Sequence, residues 1–271
     1  MNALEPTPKP FIKWVGSKRR LLHLLKPHLP EQFEFYYEPF LGSGSLFFEL
    51  QPRAARLNDF CGELIHTYEA VRDNVQAVIK YLQPMKIDKE VYYQVRENRS
   101  NGKYKRAAEF LYLNKSCWNG LYRVNSAGKF NVPFGAPRSD VVFDRANLNA
   151  VAEFLRSSDL RFSSVDFESA CSDASQNDFV FLDPPYVTKH NLNGFSEWNE
   201  KIFRWEDQTR LKTLVDDLTR RGVQVMMTNA NHDSIVDLYS GYDLRTFERN
   251  STLASNSKFR NKVDELIITN Y

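Results

Sequence analysis

Asp183-Pro184-Pro185-Tyr186 directly follows an unbroken apolar run, Phe179 to Leu182. Such a run reads as a buried parallel strand, and α/β folds bind ligands beyond the carboxyl ends of these strands. Two consecutive prolines stiffen the turn and present a carbonyl with no competing amide proton. The chemistry this set suits is methylation of an exocyclic amine on a nucleobase. Such an amine is a poor nucleophile because its lone pair is delocalised into the ring. Asp183 and the Pro184 carbonyl can both accept its N–H groups, which favours a more tetrahedral nitrogen with its lone pair aimed at a methyl donor. Tyr186 offers a flat face for a base taken out of the helix. The gain is orientation and electrostatics, without a covalent intermediate. A structural Pro-Pro turn beside an ordinary Asp is the competing reading.

A second constellation lies upstream. Tyr37 to Leu46 reads strand, turn, helix, and is centred on Glu38-Pro39-Phe40-Leu41-Gly42-Ser43-Gly44-Ser45. Glycines let the backbone approach a ligand and take positive φ. The spacing is GxG without the third glycine of the pyrophosphate fingerprint. Asp59 comes 17 residues after Gly42, at the end of the next strand, where an acid can hold both hydroxyls of a ribose. A nucleoside without phosphate fits better than a dinucleotide, and S-adenosyl-L-methionine is such a ligand. A plain tight turn is the alternative for the glycines alone.

The elements that must position these groups follow from pattern. The chain has 271 residues, of which 42% are hydrophobic and 26% charged, enough for one large domain or two small ones. No run of about 18 apolar residues is present, so no transmembrane helix is expected. The polar, Pro-rich start does not resemble a signal peptide. Cys61, Cys117 and Cys171 form no CxxC, and the five histidines form no HxxH or HExxH pair, so neither a disulfide framework nor a metal is expected. Short β-rich runs occur at 33–38, 56–58, 160–165, 179–182, 223–228 and 265–269. A helix is expected over Glu206–Arg221, with apolar residues at Leu211, Leu214, Val215 and Leu218 and a stop at Gly222. The alternation implies an α/β, doubly wound sheet. Residues 61–142 break that rhythm with helical stretches (64–82, 107–113) and a hairpin. They read as a target-recognition insertion, with 1–60 and 143–271 forming the catalytic domain.

Net charge is only +2, but it is unevenly spread. Lys9 to Lys26 carries a net +6, Lys86 to Arg138 a net +7, and the remainder −11. Two basic segments in a neutral chain are the footprint of a polyanion binder or of two solvated faces. Within the second segment, Ser126-Ala127-Gly128 is a short turn between alternating runs, hence a β-hairpin. Alternation puts Tyr122 and Val124 on one face, with Phe130 and Val132 beneath. Leu121, Arg123, Asn125, Asn131 and Pro133 fall on the other. A guanidinium suits guanine, amides suit adenine and apolar groups suit the thymine methyl. Arg123 is the strongest specificity candidate, and an ordinary exposed hairpin the alternative.

Together these residues resemble the Dam-like (D12 class, α group) DNA adenine-N6 methyltransferases over nearly the whole chain. Pro10-Phe-Ile-Lys-Trp-Val-Gly-Ser-Lys-Arg19 resembles the family's FxKWxGxK motif, and Glu38 to Ser45 its cofactor loop. Asn58-Asp59 resembles its ribose acid, Asn114 to Gly135 its DNA-reading hairpin, and Asp183 to Tyr186 its catalytic tetrapeptide. The resemblance implies a Rossmann-like S-adenosyl-L-methionine-dependent methyltransferase sheet with an inserted, mostly helical target-recognition domain bearing the hairpin. It implies that Trp14, Lys18, Asp59 and Asp183 contact the cofactor and that Lys13 reaches toward double-stranded DNA. Trp118, before Asn119, resembles an aromatic that wedges into the base stack. Asp166 is a further candidate for the cofactor's adenine, or a surface-loop residue. Simple core packing is the alternative for Trp14 and Trp118. GATC is the first target to consider. Many GATC-type members have Arg where this chain has Ala136, followed by Pro137 and Arg138, and His190 to Trp198 also departs from their pattern.

The expected function is methyl transfer to N6 of a flipped adenine in duplex DNA. The product would be S-adenosyl-L-homocysteine, and no metal would take part. A monomer in a bacterial, archaeal or phage-encoded cytoplasmic setting is expected. RNA, cytosine N4 and protein glutamine are alternative acceptors, and a catalytically inactive DNA-binding module is the alternative from another class.

Overall fold

The structure is a computed structural model that describes residues 6–188, 203–250 and 262–271. The expectation placed on His190 to Trp198 therefore lies outside the described residues. Seven strands run through the described residues: β1 (Tyr36–Glu38), β2 (Ala54–Asn58), β3 (Asp159–Ser163), β4 (Phe179–Leu182), β5 (Gln224–Ala230), β6 (Asp243–Asn250) and β7 (Lys262–Thr269). The longer helices are α1 (Ser45–Leu50), α2 (Gly62–Leu82), α3 (Lys89–Glu97), α4 (Lys103–Ser116), α5 (Arg145–Ser157), α6 (Trp205–Arg220) and α7 (Asp233–Leu238). The fold class is α/β, as the alternation implies.

The chain divides into two compact units, one of Met1–Leu22 with Leu41–Ser164 and one of His23–Phe40 with Val165–Tyr271. In the first, β2 and β3 pair in parallel from Ala54 opposite Asp159 to Asn58 opposite Ser163. The long helix α2 buries Leu64, Ile65, Tyr68, Val71, Val75, Val78, Ile79 and Leu82, the one-sided stripe of an amphipathic helix. That stripe packs against both α4 and α5. Within this unit α2 also touches β3. Asp88 caps α3 by accepting from Glu90 and Val91 N–H, and Asp144 caps α5 by accepting from Asn147 N–H.

In the second unit the strand order is β1-β4-β5-β7-β6. β1, β4 and β5 are parallel, whereas β7 runs antiparallel to both β5 and β6. The helix expected at 206–221 is α6, which buries Leu211, Leu214, Val215 and Leu218. Gly222, at φ +76°, follows its end, a left-handed position that glycine takes without strain. The expected strand at 33–38 shortens to the three buried residues of β1. β6 was not expected: Arg245–Lys262 reads as a charged loop, yet 243–250 is a strand and 251–261 lies outside the described residues. An edge strand carries charges as a matter of course, and that hides it from a search for apolar runs.

Candidate active site and nucleic-acid interface

In the first unit, the glycine loop follows β1 and opens α1. Gly42 and Gly44 have φ +49° and +63°, so the predicted left-handed turn is present. A side chain at Gly42 would lie 2.6 Å from the Trp14 ring. Trp14 therefore rests on the loop, and its other neighbour is Tyr122, stacked with ring centroids 5.9 Å apart. Asp59 sits just beyond β2 and staples the loop: its Oδ2 accepts the Gly42 N–H at 2.8 Å and its Oδ1 the Cys61 N–H at 2.9 Å. Burial pushes the Asp59 carboxyl up to about 6, against the pull of the Cys61 and Gly42 amides. Three hydroxyls, Ser17, Ser43 and Ser45, join one another within 2.8 to 3.0 Å and tie the FxKW segment to the loop. Tyr68 donates its hydroxyl to the Gly42 carbonyl at 3.2 Å. Lys18 is buried, with Nζ on the Gly16 carbonyl at 3.1 Å.

The hairpin is present but thinly paired. Its ladder consists of bridges between Cys117 and Phe134 and between Val124 and Phe130. The expected turn at Ser126–Gly128 is closed by Asn125, whose Oδ1 accepts the Ala127 and Lys129 N–H groups, an Asx-type cap. The faces follow the expected alternation where contacts settle them. Tyr122 meets Phe110 and Phe130, and Val132 is fully buried. Across the other face, Arg123 Nε donates to Asn131 Oδ1 at 2.8 Å. Leu121 is half-buried, Asn125, Pro133 and Arg138 are exposed, and Trp118 is 46% exposed. Asn119 is left-handed at φ +54°. Lys13 is exposed; the Asn114 amide bonds both its backbone N–H and its carbonyl, and Gly120 gives its side chain room.

The basic count overstates the charge free to meet a polyanion. Arg99 pairs with Glu63 and Glu109, Arg106 with Glu63, and Lys103 with Asp73. Three of the eleven bases in Lys86–Arg138 thus tie the helices together.

In the second unit, β4 is buried throughout and delivers Asp183 at its carboxyl end, as expected. Thr228 of β5 donates its hydroxyl to Asp183 Oδ1 at 2.7 Å. Pro184 is buried and Pro185 half-buried. Tyr186 donates its hydroxyl to Oε2 of Glu265 on β7 at 2.9 Å. Burial, then the Asp183 and Glu265 charges, hold the Tyr186 phenol well above its ordinary value, so it stays a donor. Glu38 and Pro39 are buried, and Glu38 accepts the Tyr36 hydroxyl at 2.8 Å. Phe40 packs on Phe167 and Phe203. Asp166 Oδ1 accepts from the Glu168 N–H and from Arg210 at 2.8 Å, so that oxygen is committed to a helical cap and an ion pair.

The tetrapeptide's supports were not picked out from sequence. Thr228 closes an apolar run, and Glu265, next to Asp264, opens another, which was the available signal. Phe60 was also passed over; it follows Asp59 and is 74% exposed, unusual for a phenylalanine.

A model of the D12 class N6 adenine-specific DNA methyltransferases matches residues 14–253. The type II methyltransferase M1.LlaDCHI of Lactococcus lactis subsp. cremoris is 36% identical over 97% of this chain and 95% of its own length. The type II methyltransferase M.MjaIII of Methanocaldococcus jannaschii is 32% identical over 97% and 99%. The DNA adenine methylase of Escherichia coli K12 is 34% identical over 95% and 93%. The match takes in the glycine loop with its stapling acid, the hairpin and the tetrapeptide alike, and the chain is an enzyme belonging to the D12 class of N6 adenine-specific DNA methyltransferases.

Proposed function

We propose that this enzyme methylates N6 of a flipped adenine at a specific site in double-stranded DNA, with GATC the first target to test. The observation that carries the reading is Asp183, half-buried at the end of β4 with one oxygen fixed by Thr228. The residues fit S-adenosyl-L-methionine. Each Asp59 oxygen takes one backbone N–H, and a carboxylate oxygen has lone pairs for a second donor, which suits the two ribose hydroxyls. Phe60 supplies an exposed aromatic face beside that acid. Trp14, Lys18, Gly42 and Gly44, with Glu38, Pro39 and Phe40 leading into the loop, complete the set that would hold it, and Asp166 is the outlying candidate. Bound there, it supplies an electrophilic methyl carbon on a sulfonium and leaves as S-adenosyl-L-homocysteine.

The chain's own groups prepare the amine. Asp183 and the Pro184 carbonyl accept the two N–H groups of N6 and orient its lone pair, while Pro185 keeps the turn rigid. Tyr186 stacks on the base. As the nitrogen gains positive charge, the Asp183 carboxylate stabilises it. Residues 61–142 serve as the target reader. Arg123 and Asn131 face base edges, and Leu121 and Pro133 meet apolar groups. Asn119, Asn125, Lys13 and Arg138 bond to bases or phosphates, and Trp118 fills the gap a flipped base leaves. One chain carries every motif, and the reading is of a monomer.

The test is to incubate the protein with S-adenosyl-L-methionine and unmethylated plasmid, then map modified bases by single-molecule sequencing. N6-methyladenine in a single motif is expected, with Asp183→Ala slower by at least about 10²-fold. Modified cytosine, or modified RNA with DNA untouched, would overturn the reading.

A further inference from the structure

Glu265 is a carboxylic acid at 0% exposure on a strand of apolar neighbours, Leu266, Ile267 and Ile268. Burying such a group is costly unless it is bonded, and its Oε2 accepts the hydroxyl of Tyr186. Its place is set by register: Glu265 lies opposite Ala230 in the β5–β7 pair, two residues beyond Thr228, which faces Ile267. Adjacent strands therefore both support the tetrapeptide. Thr228 holds its carboxylate and also bonds the Tyr186 hydroxyl, and Glu265 accepts that hydroxyl. The bond leaves the hydroxyl no freedom to turn the ring, while the ring face stays unused by it.

We propose that Glu265 is a positioning residue for methyl transfer, fixing through the Tyr186 hydroxyl the plane on which the target base stacks. This rests on the methyl-transfer reading above. The hydroxyl is not itself used in the chemistry. Its removal should act on the rate of transfer and not on cofactor binding.

The experiment is a double-mutant cycle of Tyr186→Phe, Glu265→Gln and both, read in two ways. Single-turnover methyl transfer to duplex DNA gives the rate, and thermal melting without ligands gives Tm. Tyr186→Phe keeps the ring and is expected to slow transfer about tenfold with the Kd for S-adenosyl-L-homocysteine unchanged. The double variant should be no slower than Tyr186→Phe alone, and the two Tm changes should be non-additive. Tyr186→Phe at the wild-type rate, or rate losses that multiply in the double variant, would overturn the proposal. So would coupling in Tm without coupling in rate, which would make the bond structural only. If Glu265→Gln fails to fold, Tyr186→Phe decides alone by its rate. Wild-type protein that transfers no methyl to any DNA would sink the underlying reading and this inference with it, an outcome distinct from an active enzyme whose cycle shows no coupling.

Discussion

Asp59 carries two opposed pH dependences. Burial sets its carboxyl near 6 in the folded chain, above the ordinary 3.8. With the folded value above the unfolded one, its contribution to ligand-free stability is full below about 3.8 and is lost as pH rises through about 6. On the proposed cofactor reading, ligand binding would have the reverse sign, because ribose hydroxyls would need the ionised acceptor. The Kd for S-adenosyl-L-homocysteine should be flat above pH 7 and weaken about tenfold per pH unit below 6. Calorimetric titrations from pH 5 to 8 would show this; Asp59→Asn should bind weakly throughout with no such slope. A flat wild-type profile would separate Asp59 from the cofactor. At this scale the sequence was informative where a residue type is tied to a backbone event. Gly42, Gly44 and Asp59 could be named because positive φ and a strand end leave few choices. Tyr68 and Ser17, which hold the same loop, could not, since any hydroxyl within reach would serve and reach is a property of the fold.

Among the elements, the hairpin shows what pattern can and cannot reveal. Alternation and the Ser126–Gly128 turn disclosed its existence, its tip and its faces. Its anchoring came from far away: Tyr92 and Arg96 of α3 both donate to the Val132 carbonyl, and Trp14 stacks on Tyr122. Where hairpin and helix α4 meet, Gly135 leaves no space. A Cβ there would stand 2.3 Å from the Cys117 carbonyl oxygen and 2.7 Å from Trp118 Cα. Both obstacles are backbone, so Gly135→Ala must pry the base of the hairpin open. Filter binding should show at least about tenfold weaker affinity for target DNA, while cofactor binding in the same variant stays at wild type. Equal loss of both would mean that the substitution unfolds the unit and says nothing particular about DNA.

At the scale of the whole molecule, the parallel strands and α6 were legible because buried strands and amphipathic helices write their period into the chain. The packing of α2 was not: it lies on α4, α5 and β3 alike, and no composition shift marks that. Nor did the sequence disclose the reversed strand: Leu266, Ile267 and Ile268 of β7 are buried in succession, as in a central strand, and direction leaves no trace in composition. Among the described residues, no helix is long and apolar enough to cross a membrane.

β7 is made after β6 yet lies between β5 and β6. On the ribosome, the nascent chain therefore emerges with β5 as an open edge, and the segment that becomes β6 has no strand to dock on until residues 262–269 follow it out. An exposed apolar edge is a template for pairing with other chains. A chain stopped at residue 250 should therefore be recovered mainly in the insoluble fraction, which sedimentation of the expressed product would show. Soluble, cooperatively melting material would mean that the edge is guarded some other way. The tyrosine of the tetrapeptide is translated 79 residues before the carboxylate that accepts its hydroxyl, so that bond can form only after β7 has emerged.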